Sequence, residues 1–274
     1  MHISKQSVHQ YLDRYMRSAE EEGYLYPLIE EIRADHPTMS CRSMYYLINP
    51  TTLGRDKFES LCKTWGFITA KKPCYKRTTD SSGVIRFDNL TKDLTLTSIN
   101  QLYSSDITYF EINNRFYYIT FIIDCFSRYI VGYSVSERLT TEQTTYPALE
   151  MAIKARKSQW IEPVIFHSDG GGQYYDKEFL ALTKEHKMLN SMCEYAYENP
   201  YAERINGTIK NNYLKHWNIK SYKELLKSVD RAVPLYNTVK PHKSLKRMSP
   251  ENFEKKHLLL TRKKLPIVTE SLDA

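Results

Sequence analysis

The sequence predicts an α/β fold, a mixed sheet flanked by helices and preceded by a helical domain. Three observations carry this expectation. Near residue 102 the hydrophobic period changes from that of helices to that of strands, and residues 107–112, 116–123 and 129–136 are rich in Ile, Tyr, Phe and Val. These runs are separated by Asn113-Asn114-Arg115 and Cys125-Phe126-Ser127-Arg128, lengths that suit antiparallel hairpins. After a helical stretch at 141–156, a short apolar run, Pro163-Val164-Ile165-Phe166, leads straight into His167-Ser168-Asp169-Gly170-Gly171-Gly172. A strand that ends in an acidic, glycine-rich turn is where α/β sheets place their chemistry.

Ahead of the sheet, helices are expected at 5–20, 24–34, 41–47 and 55–65, broken at His36-Pro37, Asn49-Pro50 and Gly54. Four short helices with tight connections suit a helix-turn-helix-like domain over 1–70. Gly54-Arg55-Asp56-Lys57-Phe58 would then open a recognition helix whose Arg55, Lys57 and Lys63 reach DNA. A helical packing domain without DNA contact explains the same pattern. Residues 71–101 turn polar and read as an extended linker. In the 141–156 helix, Thr140 or Thr141 suits the cap and Glu142 the first turn. Further helices are expected at 177–186, 201–216 and 222–235. The order βββαβα and then α resembles a ribonuclease-H-like layered fold, with a core expected over 102–217 and a basic helical extension over 218–274.

Composition excludes several classes. No apolar run in the 274 residues approaches the roughly 20 needed to span a membrane, and the polar first residues lack the apolar block of a secretory signal. No membrane partner is expected. The five cysteines are scattered, odd in number and without zinc-ligand spacing, as suits free thiols in a reducing compartment. Net charge is +7, but 204–264 hold 16 Lys or Arg against 4 Asp or Glu, so that stretch carries +12 and the remainder −5. Such a segment attracts a polyanion, although a solvated basic helix face has the same composition.

Three acids stand out by context. Asp106 is expected to begin the first strand, Asp169 lies in the glycine turn, and Glu203 falls early in a helix. Hard Mg²⁺ or Mn²⁺ prefers carboxylate oxygens, and phosphoryl displacement is well served by a pair of ions about 4 Å apart. Taken singly, each acid also fits a local role: Asp106 in a turn, Asp169 in an Asx-turn, Glu203 at the positive end of its helix.

Ser105-Asp106-Ile107-Thr108-Tyr109, Ile123-Asp124-Cys125-Phe126-Ser127-Arg128-Tyr129-Ile130-Val131-Gly132 and His167-Ser168-Asp169-Gly170-Gly171-Gly172-Gln173-Tyr174 resemble the retroviral-integrase-like core of bacterial insertion-sequence transposases. Glu198-Asn199, Ala202-Glu203-Arg204-Ile205-Asn206-Gly207 and the tail Tyr236-Asn237-Thr238-Val239-Lys240-Pro241-His242-Lys243-Ser244-Leu245 continue the match. The resemblance is to the insertion-sequence-three family, in which two overlapping reading frames encode the transposase; this chain is similar to the second, catalytic product.

The resemblance implies a DDE site in which Asp106, Asp169 and Glu203 hold two Mg²⁺ or Mn²⁺ ions, and a DNA transposase that cleaves element ends and transfers the released strand to a target. It implies DNA contacts from Lys210, seven residues after Glu203 and on the same helix face, and from Arg204, Asn206, His242 and Lys243. Asp124 and Arg128 are assigned a supporting place, pairing to order the hairpin behind the metal ligands. His167 is read as structural or DNA-touching, and Tyr201, Tyr213 and Trp217 as stacking or packing residues, with packing favoured for Trp217. The implied partners are DNA, a second copy to form at least a dimer on it, and the first-reading-frame product; the implied location is the nucleoid-associated cytoplasm of a bacterium. Two departures stand out: Tyr103 replaces a common tryptophan, and the 33 residues between Asp169 and Glu203 are slightly fewer than usual. An inactive or regulatory DNA-binding derivative of a transposase is the alternative, and a nuclease that cleaves without joining a third reading.

Overall fold

The computed structural model describes residues 4–69 and 86–264. Its centre is a five-stranded sheet in the order β3-β2-β1-β4-β5, formed by β1 (Leu102–Ile112), β2 (Arg115–Asp124), β3 (Ile130–Ser136), β4 (Ile165–Ser168) and β5 (Leu189–Met192). β1, β2 and β3 form an antiparallel meander; β4 and β5 lie parallel to β1 on its other side. The expected β1–β2 hairpin closes through Asn113 and Asn114, at φ 50° and 61°. Two consecutive left-handed residues make the two-residue turn that matches strand twist, and asparagine tolerates that conformation.

Alternation along β2 feeds two cores. Ile119, Phe121 and Ile123 face α6 (Pro200–Asn212) and α7 (Tyr222–Pro234), where they meet Ile205, Ile209, Leu225 and Val229. Ile122 faces the other way with Tyr103 and Val131, against Ala148 and Ala152 of α4 (Thr145–Arg156) and Phe179 of α5 (Lys177–Glu185). Burial on both faces accounts for the continuous apolar character of β2. The expected 141–156 helix is divided: a single 3₁₀ turn occupies Thr141–Gln143, α4 starts at Thr145, and its N-terminus has no side-chain cap.

The front domain differs from expectation in one respect. The first two expected helices form one, α1 (Lys5–Asp35), which runs through Gly23 and Pro27. Proline removes the N–H that would reach the residue 23 carbonyl, yet Leu25 and Ile29 on either side of it are fully buried, and that burial holds the helix together. α2 (Cys41–Ile48) and α3 (Arg55–Thr64) complete the domain, around Met44, Phe58 and Cys62. Residues 71–85 of the expected linker lie outside the described residues. The remainder, 86–101, has no helix or strand and runs beside β5, where the Leu90 amide donates to Ser191 Oγ at 2.9 Å.

The segment after residue 217 is packed on the sheet. α7 covers β2 and β3, and α8 (Pro250–Lys264) is clamped by a buried ion pair between Arg156 and Glu254, 2.8 Å apart, with Ser127 Oγ donating to the same carboxylate. The front domain docks on α6 and α7 through Asp35–Arg231 at 2.5 Å and a buried hydrogen bond of 2.9 Å between His36 Nδ1 and Tyr213 OH. Burial pushes His36 down to about 4, so its ring is neutral at pH 7. Because His36 Nε2 is already buried without a partner, Tyr213→Phe would leave the imidazole with no side-chain partner. A loss of about 1–3 kcal/mol is expected, read as a lower midpoint in urea unfolding.

Candidate active site

Register brings the two aspartates together. β1 and β4 run parallel with Ser104 opposite His167, so two residues further along Asp106 stands beside Asp169. Asp106 is therefore mid-strand in β1, the fifth of its residues, and does not begin the strand as expected. β4 has ended by then, and Asp169 opens the glycine turn. There its Oδ1 accepts the Gly171 amide at 3.1 Å. A Cβ on Gly171 would lie 3.1 Å from that same carboxylate oxygen, so any side chain there would crowd the acid.

α6 lies along β1 and is hydrogen-bonded to it between Ser104 and Tyr109. Asn199, immediately before the helix, accepts a hydrogen bond from Ser104 Oγ and donates Nδ2 to the Ser105 carbonyl at 2.9 Å. Asn206 Nδ2 donates to Asp106 Oδ2 at 2.8 Å, and Lys210 Nζ donates to Thr108 Oγ1 at 2.9 Å. Residues 104, 106 and 108 share one strand face, and 206 and 210 share one helix face, which is why the contacts run in sequence. Glu203, in the first turn of α6, is exposed on the same helix face. Asp106, Glu203, Asn206 and Lys210 line one open cavity of about 610 Å³.

The electrostatics express this crowding. Burial, then the neighbouring Asp169 charge, push Asp106 up to about 7, against the Asn206 hydrogen bond; Glu203 adds a smaller push in the same direction. Asp169 is raised by burial, with the Gly171 amide opposing. Lys210 is lowered by burial and by Lys215, with Asp106 opposing. Its ammonium also lies 4.9 Å from the centre of the Tyr109 ring. Behind the aspartates, Tyr174 OH and Ser105 Oγ are 2.9 Å apart in a fully buried contact. Among the described residues no group of three His, Cys, Asp or Glu side chains is gathered tightly enough to hold a metal ion.

Other expected residues lie elsewhere. Arg204, about 100° around α6 from Glu203, lines a different cavity, together with His242 and Lys243. Asp124 is completely buried and accepts the amides of Asn100 at 2.6 Å and of Phe126 and Ser127 at 2.9 Å. These amides, and not Arg128, hold its carboxylate; the Arg128 guanidinium donates to the Cys125 carbonyl and lies 4.0 Å from the centre of the Tyr201 ring. On α3, Arg55 pairs with Asp56 at 2.7 Å and Lys57 with Glu22 at 3.0 Å, while Lys63 is exposed. None of the three lines the cavity of Asp106. His167 is buried, its Nδ1 2.9 Å from Ser191 Oγ. Tyr213 and Trp217 pack against one another, 5.7 Å between ring centres. Sequence reasoning gives no role to Asn199, Thr108 or Tyr174. Asn199-Pro200 is a legible helix-start signal, but the turning of the Asn199 side chain onto β1 is not.

Two family profiles, each described as an integrase core domain, match residues 97–197 and 188–250. Together with the sheet order, and with Asp106 in β1 beside Asp169 in the turn after the parallel strand β4, they define the class: an integrase-core protein of ribonuclease-H-like fold. The chain is 31% identical over 172 residues to Transposase InsF for insertion sequence IS3fB of Escherichia coli (strain K12), covering 62% of this chain and 59% of that relative. It is 28% identical over 214 residues to an Insertion element IS600 uncharacterized 31 kDa protein of Shigella sonnei, covering 76% of this chain and 78% of the relative. Within its class, the chain is similar to transposases of insertion sequences. It spans about three fifths of the length of the InsF relatives it matches. Among solved structures, the HTLV-2 integrase catalytic core domain in complex with magnesium is similar at a TM-score of 0.46 and 19% identity, over 57% of this chain and 97% of that one. No helix among the described residues is long and apolar enough to cross a membrane.

Proposed function

We propose that the chain catalyses metal-dependent cleavage and strand transfer of insertion-sequence DNA ends, with Asp106, Asp169 and Glu203 as the acids that hold the metal. The observation that carries this reading is the placement of Asp106 in β1 beside Asp169 in the turn after the parallel strand β4, with Glu203 presented by the helix that lies along β1. The donor set fits a hard divalent ion such as Mg²⁺ or Mn²⁺. The carboxylates provide oxygen ligands, they repel one another without a cation, and the buried Asn206 Oδ1 beside them has no partner. Glu203, exposed at the start of its helix, is free to be drawn towards the pair. When bound, the metal supplies positive charge that neutralises the acids and polarises a phosphodiester.

The chain's own residues do the positioning. Asn206 fixes the rotamer of Asp106, the Gly171 amide fixes that of Asp169, and Asn199 anchors the start of α6, which sets where Glu203 stands. Lys210 offers a partly desolvated ammonium at the edge of the same cavity, suited to a DNA phosphate near the scissile bond. In the first reaction water adds to phosphorus and the 3′ oxygen leaves with a proton. In the second, that 3′ hydroxyl adds to a target phosphodiester and displaces its 3′ oxygen. The partners are the element ends and target DNA, at least one further copy of the chain, and the product of the first reading frame as fusion or associate.

The test uses labelled duplexes carrying the ends of the element, with Mg²⁺ or Mn²⁺, comparing the protein with Asp169→Ala and Glu203→Ala. Cleavage and joining abolished in both variants, with DNA binding kept, is the expected result. Binding without cleavage in either metal, with the upstream product supplied, would overturn the enzymatic reading in favour of a regulatory DNA-binding protein.

A further inference from the structure

A second cavity, of about 560 Å³, opens on the side of α6 turned away from the acids, where the helix meets the turn after β2 and the segment after α7. Arg128, Arg204, Lys240, Lys243 and His242 line it, and no Asp or Glu does. Among the described residues no carboxylate is in an ion pair with any of them. The His242 Nε2 atom is buried and has no hydrogen-bond partner. Its ring is held edge-on to Tyr236 at 4.8 Å, and its backbone is pinned by bonds to Met248, Leu245 and Arg247. Burial lowers Lys240 below the usual amine range, and burial, then the charges of Lys240 and Arg128, push His242 down to about 3.

Four cations around one concavity, without an acid to offset them, repel one another, and Arg128 and Lys240 are also partly desolvated. An anion relieves both costs. A tetrahedral phosphate accepts from guanidinium forks, a point-charge ammonium and a neutral imidazole N–H together, which matches the donors present. We infer that this cavity is a phosphate-binding site and that its ligand is a DNA phosphodiester, so that α6 is gripped by DNA on the side opposite the acids. The phosphate chemistry stands on the cavity alone; DNA as its source rests on the proposed function.

The test measures binding of a fluorescein-labelled duplex to the full chain across a salt series, for the wild type, Arg204→Gln and Lys240→Met. Each variant is expected to weaken binding several-fold and to reduce the slope of log K against log salt by about 0.9 for each phosphate no longer neutralised. Arg204 is exposed, so its variant carries the test should Lys240→Met fail to fold. A parallel arm adds inorganic triphosphate and reads the thermal midpoint. A midpoint raised in the wild type alone, with the duplex slope unchanged in both variants, keeps the phosphate site and removes DNA as its source. An unchanged slope together with no response to triphosphate overturns the inference. A reduced slope in variants of a protein that never cleaves DNA leaves the site standing and sinks only the enzymatic reading.

Discussion

Asp106→Asn is expected to lower metal-dependent DNA cleavage by about 10³-fold or more while raising the thermal midpoint of the metal-free protein at pH 8. The first effect follows from the role proposed for Asp106: asparagine keeps an acceptor for Asn206 Nδ2 but removes the charge that a divalent ion needs. The second follows from linkage. Burial and Asp169 raise the folded-state value of Asp106 from 3.8 to about 7. Between those values the native state binds more protons than the unfolded chain, so stability falls as pH rises through the window, and the whole penalty is present above about pH 7. Asparagine does not titrate and carries no such penalty. Its advantage is therefore largest at pH 8, on the order of a few kcal/mol, and disappears below about pH 4. Differential scanning calorimetry at pH 5, 6, 7 and 8 without divalent ions reads it directly. A midpoint difference independent of pH would show that Asp106 is not a destabilising acid in the folded chain.

Gly132→Ala is the second large effect, and it concerns the sheet alone. Gly132 lies on β3 against α4, and a Cβ there would stand 2.1 Å from the Ala148 carbonyl oxygen and 3.1 Å from the Ala152 side chain. The nearest atom is helix backbone, which cannot rotate away, so α4 must lift from the sheet as a body. A destabilisation of about 3 kcal/mol or more is expected, seen as a fall of roughly 6–12 °C in the thermal midpoint. Gly23→Ala is the matched control: it lies inside α1 with nothing within 4 Å of the added carbon. It should raise stability by up to about 1 kcal/mol. Equal effects from the two substitutions would show that close approach of β3 and α4 is not what requires Gly132.

Local signals reveal some of this architecture and hide the rest. The meander is legible because Asn113-Asn114 is a turn signal and the flanking runs are β-branched and aromatic. The acid turn is legible because the apolar run Val164-Ile165-Phe166 gives way within three residues to Asp169 and its glycines. β5, Leu189-Asn190-Ser191-Met192, is not, since it has no β-branched residue and no alternation; pairing with β4 alone makes it a strand. The continuity of α1 is hidden by Gly23 and Pro27, whose local cost is overridden by burial of Leu25 and Ile29. In the acid site, residue types and order are readable, but the register that sets Asp106 beside Asp169 is a tertiary fact. The basic cavity is less accessible still: its members come from residues 128, 204 and 240–243, and sequence alone matches Arg128 to Asp124 four residues away, the nearest acid in the chain but not its partner in space.

α6 has no idle side. Ala202, Ile205 and Ile209 are buried, with both isoleucines in the core over β2; Glu203, Asn206 and Lys210 form one wall of the acid cavity; Arg204, Thr208 and Asn212 form one wall of the basic cavity. Each trio recurs at three- or four-residue spacing, so the helix is read in three phases about 100° apart per residue. Single substitutions within it disturb one phase. An inserted or deleted residue turns everything beyond it by that angle, exchanging apolar, acidic and basic partners at once, so change in length is barred here even where change in side chain is tolerated.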